Sequence, residues 1–298
     1  MQVFTRRALV LALGAAVAFA ILPSAARADS SLAAIKSRGV LKVGVKFDSP
    51  GWGYLDPKSG SSEPAGFDVD IAHALAKQIL GDASKVQFVQ VNSSNRIPQV
   101  QNGDIDMFIA TATITAARMQ QINFSNVYFR AGQSLLVNKK NTTITTYKDL
   151  AGLSVATAKG STPEATIKRL VPTANVVTFD GYSDCFQALE QGRVDAFTTD
   201  NGILAGFLHQ DPDHLKMVGG LFTFEPYGIG IALNNDSLTK AVNDGLAAIG
   251  RNGSYAAIYK KYIGDIPTDW STWYDMPAKQ AADMYAADQP KTLAPQSR

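Results

Sequence analysis

The stretch QNGDIDMFIATATITAAR, residues 101–118, decides the interpretation of the fold. Asn102-Gly103 is a turn signal that follows a segment of helical character. Ile105 to Ile109 is a short apolar run, typical of a strand inside a sheet core. The stretch therefore predicts a helix end, a tight turn and a buried strand, which are the connected parts of an α/β unit.

Polar residues follow that strand at a regular spacing. Thr111, Thr113 and Thr115 occupy alternate positions, so an extended backbone would place their hydroxyls on one face. Arg118 comes three residues later, and its guanidinium can hold a carboxylate through two hydrogen bonds. The pattern predicts a strand end that binds a small anion, although a threonine-rich strand end with a solvated arginine fits the same spacing.

Residues 1–28 have the composition of a signal peptide. A basic Arg6-Arg7 pair precedes an apolar run from Ala8 to Leu22, and Ala26-Arg27-Ala28 fits the small-residue cleavage pattern. The apolar run is shorter than the ~20 residues that a membrane helix needs. We expect cleavage near Ala28 and a periplasmic mature chain, exported by the general secretory route, with the twin-arginine route left open.

The charge of the mature chain excludes nucleic acid as a partner. Removal of residues 1–28 takes away three arginines and no acid, so the net charge changes from +2 to −1. No basic surface remains to attract phosphates, and no later apolar run has membrane length. A hydrophobic content of 46% with 18% charged residues is that of an ordinary globular protein.

The residues that usually carry catalysis or metals form no recognisable group. The single cysteine, Cys185, lies in a helix-like run and is expected to be a buried structural thiol. His73, His209 and His214 lack metal-ligand spacing, and no phosphate-binding or dinucleotide-binding glycine motif is complete. We therefore expect no catalytic residue, no metal and no cofactor.

Strands and helices alternate along the first half of the chain. Val40 to Val45 and Val86 to Val91 have strand patterns, and Val69 to Leu80 has one apolar helical stripe after a possible cap at Asp68. Asn95-Arg96-Ile97-Pro98 begins a further helix with proline in its first turn. This order predicts an α/β fold with a largely parallel sheet.

The second half repeats the first. Residues 102–111 can be laid over residues 191–200 with glycine, aspartate and phenylalanine coinciding, and Thr111 then falls opposite Asp200. We interpret the repeat as two similar α/β lobes. Because ligands of open α/β sheets lie beyond the carboxyl ends of the strands, Lys46, Ser161-Thr162, Arg118 and Asp200 are candidate ligand contacts. Arginine suits a carboxylate and aspartate an ammonium, so the set suggests a zwitterion such as an amino acid.

At this point the chain resembles the polar amino-acid-binding proteins of bacterial ABC importers, solute-binding protein family 3. The resemblance runs from about Leu32 to Tyr262 in seven blocks: GFDVDIAHALA (66–76), NRIP (95–98), TITAAR (113–118), INFSNVYF (122–129), GSTPE (160–164), QGRVDAFTTD (191–200) and EPYGIGIAL (225–233). It implies a two-lobed periplasmic-binding-protein type II fold, with a mixed sheet flanked by helices in each lobe, two hinge crossings and closure around the ligand.

The resemblance also implies where the chain divides. The crossings would lie near residues 128–133 and 225–228. The segments would then be a signal peptide at 1–28, a first lobe at 29–130 and 228–265, a second lobe at 131–227, and a partly loose C-terminal extension at 266–298. The implied partners are an amino acid and an ABC permease in the inner membrane, and the protein is expected to be a monomer.

Residue roles carried over by motif position complete the expectation. Arg118 would hold the α-carboxylate with Thr113 and the Ser161-Thr162 backbone, while Asp200 and the Thr111 region would take the α-ammonium and Phe47 would pack on the ligand. The chain departs from the usual motifs at Ala116-Ala117, which replace Pro-Glu, at Asn123, which replaces an acid, and at Val127, which replaces a proline. These departures concern the local backbone and remove no charged ligand group.

The identity of the ligand rests on two further cations. Lys46 and Arg96 are similar in placement to cations of aspartate/glutamate-binding relatives, and a second ligand carboxylate needs such a partner. We therefore expect glutamate or aspartate, with glutamine or another polar amino acid as the alternative. A periplasmic dehydratase on the same scaffold, with Glu164 as the acid or base, is the competing enzyme hypothesis, and delivery to a receptor in place of a permease also stays open.

Overall fold

The computed structural model describes residues 31–290, so the predicted signal peptide lies outside the described residues. The helices are α1 Leu32–Arg38, α2 Phe67–Leu80, α3 Arg96–Asn102, α4 Ala116–Met119, α5 Thr162–Leu170, α6 Tyr182–Glu190, α7 Asn201–Gln210, α8 Asp236–Arg251, α9 Ser254–Tyr262 and α10 Ala278–Ala287. The strands are β1 Leu41–Val45, β2 Asp48–Ser49, β3 Gly53–Tyr54, β4 Val86–Gln90, β5 Met107–Phe108, β6 Ile122–Phe124, β7 Phe129–Ala131, β8 Gln133–Asn138, β9 Ser154–Ala158, β10 Asn175–Phe179, β11 Ala196–Asp200, β12 Leu215–Val218, β13 Glu225–Tyr227 and β14 Gly230–Ala232.

Two five-stranded sheets have the same internal plan. The first has the order β4-β1-β5-β14-β6 and the second the order β10-β9-β11-β8-β12. In each, the first three strands run parallel and the next one is antiparallel to its neighbours. We call the units around the first and second sheets lobe 1 and lobe 2. The predicted two-lobed α/β fold with mixed sheets is confirmed.

The sequence repeat corresponds to a repeated structural unit. Asp106 precedes β5 and accepts a hydrogen bond from the backbone N–H of Lys42 at 2.7 Å. Asp195 precedes β11 and accepts one from the N–H of Ser154 at 2.8 Å. The same aspartate thus ties the same pair of strands in each lobe. Asp106 is 2% exposed and also pairs with Arg38.

A short ribbon joins the lobes. β7 and β13 pair antiparallel, with Phe129 opposite Tyr227 and Ala131 opposite Glu225. β7 leads the chain out of lobe 1 into β8 of lobe 2, and β13 leads it back into β14 of lobe 1. These two segments are the predicted hinge crossings.

Some local predictions are confirmed and others are wrong. The run from Ile105 to Ile109 is buried throughout, and Cys185 is buried as expected. Asp68 is not the cap of α2, since the helix begins at Phe67 after Gly66 and the aspartate is buried in the first turn. The backbone after β5 is also not regularly extended, because Thr111 has φ 48°.

The described part of the C-terminal extension packs on both lobes. Trp273 is 3% exposed, and the backbone N–H of Val127 donates to Met276 O at 2.9 Å beside the hinge. At the far end, Arg169 of α5 donates to Pro290 O at 2.6 Å. Within residues 31–290 no helix is both long and apolar enough to span a membrane.

Candidate functional site

The candidate site is the cleft where the carboxyl ends of the parallel strands of the two lobes face each other. Tyr182 N donates to Asp48 Oδ2 at 2.6 Å, and the Ser183 hydroxyl donates to Asp48 O at 3.2 Å. Arg118 of lobe 1 donates to Gly160 O of lobe 2 at 3.1 Å. These bonds cross between the lobes, so the cleft is closed in this structure.

Two buried cations line the lobe 1 wall. Lys46, immediately after β1, is 2% exposed, donates to Ser93 Oγ at 3.1 Å and lies 4.0 Å from the Tyr182 ring centre. Burial lowers the pKa of Lys46 to about 7. Arg96, at the start of α3, is also 2% exposed and donates to Ala110 O through Nη1, while its Nε has no hydrogen-bond partner in the part of the chain that the structure describes. Both predicted cations therefore lie inside the protein near the cleft.

Thr111 is held by a buried carboxyl that the sequence interpretation assigned to a helix cap. Its backbone N–H donates to Asp68 Oδ2 at 3.0 Å, and its own hydroxyl donates to Ala110 O at 2.8 Å. The Tyr128 hydroxyl donates to Asp68 Oδ1 at 2.9 Å. Burial raises the pKa of Asp68 to about 7, and these two hydrogen bonds limit the rise. Asp68 thus fixes the backbone that would present Thr111 to a ligand.

Arg118 is positioned by a one-turn helix. Thr115 caps α4 by accepting a hydrogen bond from Arg118 N at 3.2 Å. The guanidinium then turns back into the cleft, where Nη1 donates to Thr113 O at 2.8 Å. The three threonines therefore have three separate roles and do not form one row of ligand donors.

Asp200 is the acidic group of the lobe 2 wall. It ends β11, is 3% exposed and accepts a hydrogen bond from Tyr227 Oη at 2.5 Å, while its Oδ1 has no hydrogen-bond partner among the described residues. Burial raises the pKa of Asp200 to about 6, and the Tyr227 bond and the charges of Lys46, Arg118 and Arg96 limit the rise. The cleft therefore holds cations on one wall and a partly unsatisfied carboxylate on the other.

Glu225 is a cleft residue that the sequence interpretation missed. It is fully buried on β13, and its carboxyl accepts hydrogen bonds from the hydroxyls of Thr113 at 2.7 Å, Thr162 at 2.9 Å and Thr223 at 2.8 Å. Glu225 belongs to the EPYGIGIAL block, which served for the family resemblance and for a hinge crossing but not for a site residue. Its position could have been suspected because it is a lone carboxylate in an otherwise apolar and glycine-containing strand.

The remaining predicted residues are placed as follows. Ser161 caps α5, with its Oγ accepting from Glu164 N at 3.3 Å, so the ligand contact of the Ser161-Thr162 backbone stays a prediction. Phe47 is partly buried and packs against the hydrophobic core, so its ligand contact stays a prediction. Glu164 accepts from Gly160 N at 2.8 Å and pairs with Lys168 at 2.6 Å. Such bonds describe a structural residue of the helix start and favour binding over catalysis.

Sequence comparison identifies relatives over most of the chain. A family of bacterial extracellular solute-binding proteins, family 3, matches residues 41–265. The ABC transporter glutamine-binding protein GlnH of Bacillus subtilis is 45% identical over 240 residues, which cover 80% of this chain and 86% of that protein. The glutamine-binding protein of Geobacillus stearothermophilus is 46% identical over 72% of this chain and 81% of its own. The glutamate-binding protein GluB of Corynebacterium efficiens is 35% identical over 80% of this chain and 83% of its own.

Structural comparison also identifies amino-acid-binding proteins. An ancestral arginine-binding protein bound to glutamine superposes with a TM-score of 0.72 at 39% identity, covering 76% of this chain and 99% of that one. An ancestral amino acid-binding protein, a precursor of cyclohexadienyl dehydratase, superposes with a TM-score of 0.71 at 34% identity, covering 78% and 98%.

Proposed function

Because this chain belongs to the bacterial extracellular solute-binding proteins of family 3, we propose that it captures glutamine between its two lobes and delivers it to an ABC importer. Binding of a polar amino acid is the common property of the relatives, which are transport proteins. The finer assignment, glutamine, follows from the two glutamine-binding relatives at 45% and 46% identity. The expectation of glutamate or aspartate is therefore moved to second place.

The observation that carries the amino-acid assignment is a pair of unsatisfied, oppositely charged groups in one cleft. Among residues 31–290, Arg96 Nε and Asp200 Oδ1 are buried without partners, although buried polar atoms are normally hydrogen-bonded. A free amino acid brings an ammonium that can donate to Asp200 Oδ1, and a polar side chain such as an amide brings an oxygen that can accept from Arg96 Nε. We assign its carboxylate to Arg118 with the backbone of Thr113 and of the helix start at Ser161-Thr162, since the hydroxyls of Thr113 and Thr162 already donate to Glu225, and its ammonium to Asp200 and the Thr111 region.

Charge balance separates the two candidate ligands. The buried cations Lys46 and Arg96 and the cleft arginine Arg118 face three buried carboxyls, Asp68, Asp200 and Glu225. Burial raises the pKa of Asp68 and of Glu225 and lowers that of Lys46, so groups of both signs can be neutral near pH 7. A neutral amide side chain adds no charge to the cleft, whereas a second ligand carboxylate needs a charged cation beside it, so comparing glutamine with glutamate tests the charge of the cleft.

Isothermal titration of the purified protein with both ligands tests the proposal. Bound amino acid is first removed by unfolding in guanidinium and refolding. We expect heat with glutamine at micromolar ligand or below, and at least tenfold weaker binding of glutamate. Tighter binding of glutamate would reverse the order, and no heat with either would refute the assignment. A matched Lys46→Met variant distinguishes the cases, since it should weaken glutamate far more than glutamine.

The location and boundaries follow as further proposals. We place cleavage of the signal peptide near Ala28, the mature protein in the periplasm, and an inner-membrane ABC permease as the receiving partner. We propose lobe boundaries at residue 130, within β7, and at residue 228, directly after β13. Mass spectrometry of the secreted protein checks the first residue of the mature chain.

A further inference from the structure

Glu225 lies at a point where the two lobes and the hinge meet. Its strand, β13, is one of the two hinge segments, and its side chain is 0% exposed. The hydrogen bonds that Glu225 accepts within residues 31–290 come from the three threonine hydroxyls already named. Among residues 31–290 this carboxyl forms no ion pair. Burying an unpaired carboxyl costs free energy of folding, so its presence suggests a role in the site.

A single oxygen of this carboxyl joins the lobes. Thr113 of lobe 1 and Thr162 of lobe 2 both donate to Oε2, and their own hydroxyl oxygens are 3.2 Å apart. The bond from Thr223 goes to the other oxygen, Oε1, and Thr223 in turn accepts from Gln133 N of lobe 2. The Oε2 bonds therefore link the lobes, while the Oε1 bond lies on one side of the hinge.

We propose, building on the proposed capture of an amino acid, that Glu225 is a positioning residue that locks the closed lobes by accepting one hydroxyl from each lobe at a single oxygen. Opening rotates the lobes about the β7-β13 ribbon, which changes the distance between Thr113 and Thr162. One oxygen then cannot keep both bonds. The lock forms only when the lobes close, and it needs no contact between Glu225 and the ligand.

The surroundings make this lock sensitive to protons. Burial and, to a smaller extent, the Asp200 charge raise the pKa of Glu225 to about 8, and the three hydroxyl bonds limit the rise. Arg118 and Tyr285 of α10 also face the carboxyl. Since opening would readmit water and lower this pKa, the closed form holds the proton more tightly. Closure should therefore take up a proton near neutral pH and weaken as the pH rises through about 8.

Two substitutions at Glu225 separate the lock from a merely structural role. Glu225→Gln keeps an oxygen that can accept both hydroxyls, and it mimics the protonated acid. Glu225→Ala removes the acceptor. We expect Glu225→Ala to lower glutamine affinity by about tenfold or more at every pH. We expect Glu225→Gln to bind like the parent at a pH below the open-state pKa of this carboxyl, and to lose the parent's fall in affinity as the pH rises from there to about 8.

The lobe separation gives a readout that does not depend on the ligand assignment. Spin labels at the exposed positions Gln87 of lobe 1 and Thr178 of lobe 2 report the distance between lobes by double electron–electron resonance, in a Cys185→Ser background. Thr113→Val and Thr162→Val should lower the closed population, whereas the matched Thr223→Val should leave it near the parent value. Thermal unfolding confirms that each variant folds.

The outcomes distinguish the two proposals. If the parent binds no glutamine, the ligand assignment fails, while ligand-free distance distributions still measure the lock. The lock itself is overturned if Glu225→Ala, Thr113→Val and Thr162→Val all retain the parent's closed population. It is also overturned if Glu225→Gln keeps the parent's pH dependence and its proton uptake, measured by titration in buffers of different ionisation enthalpy.

Discussion

Substitution of Gly206 by alanine should block closure while strengthening the fold. Gly206 lies in α7 of lobe 2, and a β-carbon added there would be 2.1 Å from the carbonyl oxygen of Pro50 in lobe 1. Non-bonded heavy atoms need about 3.5 Å, and the contacted atom belongs to backbone that cannot rotate away. The helix and the loop must therefore separate by more than about 1 Å.

The two expected effects have opposite signs. Alanine is favoured over glycine inside a helix, so the free energy of unfolding of the ligand-free protein should rise by ~0.5–1 kcal/mol. Closure, in contrast, meets an overpacked contact that costs ~1–3 kcal/mol. If that cost falls on the liganded state alone, the dissociation constant should increase about 5- to 150-fold.

Denaturant unfolding without ligand and calorimetric titration with ligand measure the two quantities separately. His209→Ala, at an exposed position of the same helix, is the matched control and should leave ligand affinity unchanged. Affinity within twofold of the parent for Gly206→Ala would show that the lobes do not approach as closely as this structure has them. A fall in both stability and affinity would point to a distorted helix.

Three further predictions concern the cleft and the extension. Arg118→Ala should leave a ligand carboxylate without its cation, which should cost ~3–5 kcal/mol of binding free energy, or more than a hundredfold in affinity measured by titration. Binding within tenfold of the parent would show that Arg118 does not hold the ligand. Asp68, whose pKa burial raises from 3.8 to about 7, stabilises the folded state below its unfolded pKa, and this contribution is lost as the pH rises through about 7. Urea unfolding across this range should therefore show a flatter pH dependence for Asp68→Asn, and an unchanged slope would contradict the assignment. Trp273→Ala should cost ~3–5 kcal/mol in unfolding free energy because the side chain is 3% exposed, whereas Leu221→Ala, 60% exposed, serves as the neutral control.

The architecture was accessible from the sequence because it depends on local patterns. Alternation of strand and helix predicts the α/β class, and the repeat between residues 102–111 and 191–200 predicts two lobes. Both repeats lead into the third strand of their sheet, and Asp106 and Asp195 make the same bond to the neighbouring strand. Such features recur because each lobe packs helices against a sheet formed from neighbouring elements of the chain.

The roles of individual polar residues were less accessible, because burial decides them. Asp68 has the spacing of a helix cap but lies inside the protein, where Tyr128 and the Thr111 backbone satisfy it. Asp106 has the spacing of a solvated turn but pairs with a strand edge and with Arg38. Sequence spacing cannot show whether a carboxylate near a turn meets water or a hydrogen-bond donor from a distant segment.

The sequence by itself determined a two-lobed α/β protein with Thr111 and Asp200 at corresponding positions of the two repeats, since helix, turn and strand patterns act over a few residues. Only the tertiary structure decided that Glu225 receives hydroxyls from both lobes. Its partners Thr113 and Thr162 are 112 and 63 positions away in the chain. A contact at such separations exists only after both lobes have folded and closed, so no local pattern encodes it.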